Sequence, residues 1–241
     1  MTDTSNIFAR LPPEILICIY LQTANPSFSL TSIYIYSVLL SEHVRFIFCA
    51  NVFDPTFDWG LEHPNLAIAQ TFVVAQNWFT PEFAQRVQAE CRNRVAVAFE
   101  ATVPRTTAGA KLPSYCLRAP WTDQKVALLE ELTRWNMKST WTREKKRYPG
   151  LNEAIAEGRG NIVEIYAGPA VHCLIEERDI LHALDIAASK SILESLISGF
   201  GSNGPVAEKS YDLILEALSK RKKSVGLIKQ FKRKVVRERR R

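Results

Sequence analysis

The C-terminal half of the chain carries an internal repeat, and this repeat constrains the fold more than any other feature of the sequence. Residues 154–165 have the pattern of a short helix, a small turn and a second apolar helix, and residues 184–196 and, in outline, 216–228 repeat it. Matching Ala156 to Ala187 and Ala187 to Ala217 gives steps of 31 and 30 residues. Such a period, with two helices per unit, is typical of helical repeats that stack to bury a continuous core.

Helical patterning also runs through the N-terminal half. Leu11-Pro12-Pro13-Glu14 predicts a helix start, because proline fits the first turn and a carboxylate suits the positive end of the helix dipole. Thr80-Pro81-Glu82 and Thr122-Asp123 have a similar capping pattern. Apolar spacing adds helices over 28–40, 42–52 and 66–78, whereas 101–114 is expected to be a loop and Tyr-Pro-Gly at 148–150 a break.

The stretch 28–40 admits two interpretations. Residues 33–36 alternate β-branched and aromatic side chains, which is a strand pattern by propensity. A helix is favoured because four side chains fall at helical spacing and are expected to share one face: Leu30, Ile33, Ser37 and Leu40.

Cysteine usage and hydropathy indicate a soluble protein of a reducing compartment, cytoplasmic or nuclear. The five cysteines are odd in number and none has C-x-x-C spacing. Residues 1–6 are polar, unlike a secretory signal. The longest apolar run, 33–40, is far shorter than the roughly 20 residues of a membrane-spanning helix, so no membrane span is expected.

Charge is distributed unevenly along the chain. Residues 220–241 hold 12 Lys or Arg and one acid, which leaves 19 basic and 24 acidic residues in 1–219. Three roles fit this basic tail: a solvated last helix, a nuclear-import address, or a contact to the phosphates of nucleic acid or of an anionic membrane surface. The residues assigned to the import or anion contact are Arg221, Lys222, Lys223, Lys232, Arg233, Lys234, Arg239, Arg240 and Arg241.

No motif in the sequence predicts catalysis. Walker, Gly-x-Ser-x-Gly and His-Glu-x-x-His patterns are absent, and the four histidines are scattered. Residues 199–204 have G-x-G-x-x-G spacing, but the apolar residues before them are spaced as in a helix, whereas the dinucleotide fingerprint follows a strand. We therefore expect a protein that is not an enzyme, with no catalytic residue, metal site or cofactor.

Two parts of the chain resemble known families. Leu11-Pro12-Pro13-Glu14-Ile15-Leu16, with 30–32 and 36–39, resembles an F-box of the kind common in fungal proteins. Leu112-Pro113, residues 120–123 and residues 160–163 are similar to the degenerate ankyrin-type array that often follows such a segment. Two departures stand out: Ile33-Tyr34 occupy positions that are usually basic, which predicts a more buried second helix, and no Thr-Pro-Leu-His turn is present.

The resemblance implies a substrate receptor of a cullin–RING ubiquitin ligase. Three F-box helices would dock on the Skp-type adaptor, and the repeats would bind a protein target whose identity the sequence does not indicate. The adaptor contact would fall on Leu11, Pro12, Ile15, Leu16 and Ile19, as an apolar helix face in a groove. The same stripe also fits the core-facing side of a terminal helix packed on the chain's own repeats.

The predicted architecture is all-α. It consists of an F-box-like three-helix head over 1–53, an irregular array of ankyrin-like helical hairpins over 64–219, and a basic C-terminal helix or tail over 220–241. The alternative function is a helical-repeat scaffold whose tail binds nucleic acid or an anionic membrane surface.

Overall fold

The computed structural model describes residues 7–54, 56, 65–95, 104–139, 149–171, 173–201, 208–220 and 225–238. Within these residues the chain forms α-helices and short 3-10 turns and no strand, which confirms the predicted all-α class. Contacts divide the chain into two compact units. The first contains residues 1–113 and 127–137, and the second contains 114–126 and 138–241.

The helices of the first half are present where predicted, except that 28–40 divides into a 3-10 turn and a helix and that the helix predicted over 66–78 ends four residues before Trp78. They are α1 Pro13–Thr23, α2 Ile33–Leu39, α3 Glu42–Phe53, α4 Leu66–Val74, α5 Pro81–Arg94 and α6 Asp123–Arg134, with 3-10 turns at Ile7–Arg10, Pro26–Leu30 and Ser114–Leu117. The predicted cap at Thr80 is confirmed, because its side chain accepts a hydrogen bond from the Phe83 amide.

Helix α3 is the centre of the first unit. It packs against α1, α4 and α5, and Phe48 and Phe53 are fully buried. The Phe48 ring stacks on Tyr20 of α1 at 4.1 Å between centroids, and Phe53 meets Trp135 edge-on at 5.0 Å. The three N-terminal helices therefore share one core with α4 and α5, whereas the sequence had suggested a separate segment ending at residue 53.

A buried amide fixes the loop after residue 103 to this core. Gln70 of α4 is fully buried; its Nε2 donates to the carbonyls of Val52 and Arg105 at 2.7 and 3.0 Å. Its Oε1 accepts from the amide and the hydroxyl of Thr107 at 2.9 and 3.1 Å. All four hydrogen-bonding positions of the side chain are occupied. These hydrogen bonds compensate for the contacts with water that the amide loses on burial.

The second unit contains three helical hairpins. Their helices are α7 Pro149–Ala156 with α8 Gly160–Ala167, α9 Glu177–Asp185 with α10 Lys190–Gly199, and α11 Glu208–Ser219 with α12 Val225–Glu238. Helices α8, α10 and α12 pack side by side in one layer, and α7, α9 and α11 pack in the other. The three predicted helix pairs are thus present.

The turns of the first two hairpins correct the predicted register. Gly158 donates to the Ile155 carbonyl and Arg159 to that of Ala154, and Ala187 and Ala188 make the same two bonds to Leu184 and Ala183. This is the Schellman end of a helix, in which one residue adopts a left-handed conformation. Because Gly158 and Ala187 hold that conformation, at φ 71° and 55°, the structural match is Gly158 to Ala187, not Ala156 to Ala187.

The buried side of α2 is not the one with the predicted spacing. Ile35 and Leu39 point into the core, while the four residues expected to share a face lie outside it: Leu30, in the preceding 3-10 turn, and Ile33, Ser37 and Leu40 are all exposed. Ile33 and Tyr34, the two residues that depart from the basic pattern of an F-box, are themselves exposed. A helix that is apolar on all sides offers no periodic signal to select the buried side.

Candidate docking surface

Seven large apolar side chains are exposed on the first four helical segments and just after them, and we call them the N-terminal apolar surface: Phe8, Ile15, Leu30, Ile33, Tyr34, Tyr36 and Leu40. Ile33 is 88% exposed, Leu30 65% and Ile15 46%. Single exposed apolar residues are ordinary, but a concentration of them on elements that pack together is typical of a docking site.

Local hydrogen bonds hold these segments in place. Ser32 and Ser41 cap α2 and α3 by accepting from the amides of Ile35 and Val44 at 3.1 and 3.2 Å. The Tyr34 hydroxyl donates to the Leu11 carbonyl at 3.5 Å, which places the start of α1 beside α2. The exposed apolar side chains are therefore displayed on capped, packed helices.

The surface has no formal charge of its own. Not one Asp, Glu, Lys, Arg or His occurs between Glu14 and Glu42 in the sequence. This charge-free stretch is the signal that could have identified the surface before the structure was known. Apolar spacing alone does not indicate the surface, because the same spacing is typical of residues that turn into a core.

The five residues predicted to contact an adaptor do not behave alike. Pro12 and Ile15 are exposed, and Leu11 and Ile19 are half-buried. Leu16 is fully buried, and Tyr20, one turn later, is only 5% exposed. Leu16 is therefore a core residue of the folded chain and is removed from the candidate contact.

A cavity of about 340 Å³ lies next to the N-terminal apolar surface and shares Leu30, Tyr36 and Leu40 with it. Phe72 and Trp78 form part of its wall, and Arg45 is the charged residue among those that line it. The Arg45 guanidinium lies over the Trp78 ring, 5.0 Å from its centroid. Ser29, Gln76 and Asn77 also line the cavity, which therefore combines aromatic and aliphatic walls with polar side chains and one cation, Arg45.

The predicted basic-tail residues fall in different environments. Lys232 and Arg233 of α12 are exposed, whereas the Lys234 ammonium donates to the Ser198 carbonyl of the same unit. The remaining predicted residues, Arg221, Lys222, Lys223, Arg239, Arg240 and Arg241, lie outside the described part of the chain.

Helix α12 presents two different apolar rows. Leu227, Phe231 and Val235 are buried against the preceding helices. On the outer side Val225 is 76% exposed and Val236 49%, with Lys229 and Lys232 on either side of that row by helical geometry.

The described residues contain neither a metal-binding cluster nor a single helix that could span a membrane. Among the described residues no group of three or more His, Cys, Asp or Glu side chains is arranged to hold a metal ion. Within that same set no single helix has the length and hydropathy to cross a bilayer; α2 and α3 pass only as a pair, and they bend by 81° at their junction. Gly199, the first glycine of the G-x-G-x-x-G match, ends α10 and packs against Ala167.

One cysteine is placed to report on the docking surface. Cys18 is exposed on α1, three residues after Ile15, and the other four cysteines are buried. Burial raises the pKa of Cys116 to about 11 and of Cys91 and Cys173 to about 12, so these thiols stay protonated and unreactive at neutral pH.

We expect a thiol titration of the native protein with a disulfide reagent to show one fast-reacting group, Cys18, and four that react only on unfolding. A Cys18→Ser variant should lose the fast phase and keep the slow one. A second fast thiol in that variant would contradict the burial of the remaining cysteines. A fluorophore placed on Cys18 then provides a signal for docking at the neighbouring Ile15.

Comparison with protein-family models, curated proteins and solved structures found no match to this chain. The similarity to an F-box and to ankyrin-type repeats accordingly rests on the sequence motifs given above.

Proposed function

We propose that the chain is a non-catalytic receptor that docks on another protein through its N-terminal apolar surface. The observation that carries this proposal is the exposure of Ile15, Leu30 and Ile33 on neighbouring helical segments, in a stretch with no charged residue between Glu14 and Glu42. Burying one such side chain in a partner contributes roughly 1.5–3 kcal/mol before the costs of association. Three of them would contribute a large part of the driving force for a complex, together with the other exposed apolar side chains of the surface.

The partner we propose is a Skp-type adaptor of a cullin–RING ubiquitin ligase. The F-box resemblance of 11–39 suggests it, and the exposure of Pro12 and Ile15 supports it. An apolar groove on the adaptor would receive these side chains at helical spacing. Leu16 has no part in the contact, because it is buried within the first unit.

Titration of the intact chain with purified Skp-type adaptor, followed by calorimetry or by a label on Cys18, tests this proposal. We expect saturable binding with a negative heat-capacity change, because apolar surface is buried. Absence of binding by the folded, intact chain would rule out the adaptor.

The second unit supplies the proposed target site. Its three hairpins stack in two layers, which supports the comparison with ankyrin-type arrays, and stacked hairpins commonly present one extended face to a protein partner. A target bound there would be brought to the ligase for modification. Such work belongs to the cytoplasm or nucleus, where buried free thiols such as Cys49, Cys91 and Cys173 persist.

A second candidate function concerns the outer face of α12. Val225 and Val236 are exposed there between Lys229 and Lys232, with Arg233 beside them. An aliphatic row flanked by lysines suits a helix that lies in the headgroup region of an anionic membrane. A nucleic-acid contact would use the same cations and would gain little from the valines.

We expect the chain to bind vesicles containing phosphatidylserine and not neutral phosphatidylcholine vesicles, in a sedimentation assay at low salt. Replacing Lys229 and Lys232 with Glu should abolish binding, since each basic residue near an anionic surface contributes about 1 kcal/mol. Val225→Ser with Val236→Ser should weaken vesicle binding and leave any binding to duplex DNA unchanged. If DNA binds and vesicles do not, the nucleic-acid contact is the correct one.

A further inference from the structure

The cavity beside the N-terminal apolar surface has the chemistry of a binding site for one anionic group. Its walls come from the 3-10 turn at Pro26–Leu30, from α1, α2, α3 and α4, and from the residues that follow α4. The positions that define it are Leu30, Tyr36, Leu40, Arg45, Phe72 and Trp78. At about 340 Å³ it is within the range of small-ligand or side-chain pockets.

Arg45 has no carboxylate partner among the described residues, although acids are present nearby in the sequence. Glu42, three residues before it, pairs with Arg86. Asp54 and Glu90 pair with Arg94, and Glu130 and Glu131 pair with Arg134. Within the described part of the first unit the ion pairs are thus made elsewhere, and the Arg45 charge is left for a ligand.

The guanidinium is also held in place and partly desolvated. It lies on the face of Trp78, and its own helix is fixed to α1 and α5. Burial raises the pKa of Tyr20 and of Cys49, and the positive charge of Arg45 opposes both shifts, which places that charge close to two buried groups. An oriented cation in a partly apolar wall binds an anion more strongly than one in free solution does.

We propose that this cavity receives the carboxylate of an Asp or Glu side chain, flanked by an apolar side chain, from the protein segment that docks on the N-terminal apolar surface. The inference rests on the proposed docking function, because Leu30, Tyr36 and Leu40 belong to both the cavity and the surface. One guanidinium neutralises one carboxylate. A phosphate dianion would require a second cation, and Arg45 is the charged residue in the lining.

The test uses 3-phenylpropanoate as the probe, with 3-phenylpropanamide as its neutral match and phenyl phosphate as the competing anion. Binding to the full chain is followed by Trp78-sensitive fluorescence and by amide shifts in ¹⁵N spectra. We expect the carboxylate to bind at least about tenfold more tightly than the amide, as a charge-assisted hydrogen bond requires. Equal binding of acid and amide, or tighter binding of phenyl phosphate, would overturn the assignment.

Two variants of Arg45 locate the effect. Arg45→Met should remove the preference for the carboxylate, and Arg45→Lys should retain part of it, because lysine keeps the charge and loses the planar fork. The thermal midpoint of each variant shows whether the fold is intact, and a folded Arg45→Met protein that keeps the preference would overturn the proposal. If the probe binds as expected and the Skp-type adaptor does not, the site stands and the proposed adaptor falls.

Discussion

Gly150→Ala is expected to lower the free energy of unfolding of the second unit by about 3–5 kcal/mol. A Cβ at this position would lie 2.4 Å from the Tyr166 hydroxyl oxygen, 2.5 Å from the Leu117 carbonyl oxygen and 2.9 Å from a Trp121 ring carbon. Two of these atoms form a buried hydrogen bond, in which Tyr166 donates to Leu117 at 2.7 Å. The methyl group therefore overpacks the core and breaks that bond. Urea unfolding followed by tryptophan fluorescence measures the loss.

Two other glycines serve as matched controls for this substitution. At Gly226 in α12 an added Cβ meets nothing within 4 Å, so Gly226→Ala should be neutral or slightly stabilising. Gly158 also has open space but a φ of 71°, so Gly158→Ala should cost about 1 kcal/mol from backbone strain alone. A Gly150→Ala protein as stable as Gly226→Ala would show that α7 does not begin against Tyr166 and Leu117.

Gly150 also illustrates what local sequence signals predict and what they leave out. The sequence predicts a break at 148–150, and α7 begins at Pro149, because proline is well tolerated in a first helical turn. The glycine follows because a helix and a buried tyrosine approach closely there. That approach joins residues far apart in the chain, and no spacing within the segment encodes it.

Caps and periodic stripes were predictable because each depends on neighbours within one turn of helix. Thr80 and the repeated hairpins from Ala154 onward follow this pattern. Helical periodicity could not predict that Leu16 is buried and Ile33 exposed, because both lie in stretches that are apolar on every side. Which side is buried is decided by contacts between elements: α1 packs against α2 and α3, and α2 packs against α1 and the two neighbouring 3-10 turns.

Two polar features of the first unit, one in the core and one in the cavity wall, could not be predicted from the sequence for a related reason. Gln70 gains its four hydrogen bonds from Val52, Arg105 and Thr107, which are distant in sequence. Arg45 is distinctive only because Glu42 is engaged by Arg86 instead. An i, i+3 Glu–Arg pair on one helix would have been the ordinary expectation from the sequence.

Substituting aspartate for Ile15 and Ile33 is expected to weaken docking of the Skp-type adaptor by at least about 100-fold, because a carboxylate would be desolvated inside an apolar contact. Both side chains are exposed, so the free energy of unfolding should change by about 0.5 kcal/mol or less. Calorimetric titration of the adaptor with each single variant and with the pair measures the loss.

Ile186→Asp is the matched control for the docking variants, because Ile186 is 43% exposed, close to Ile15 at 46%, and lies in the second unit. It should bind the adaptor as the unchanged chain does. Leu16→Asp is uninformative about docking, since a carboxylate at that buried position disrupts the core first. If the Ile15 and Ile33 variants remain folded and bind with unchanged affinity, the adaptor contact lies elsewhere. The exposed row then requires a different partner.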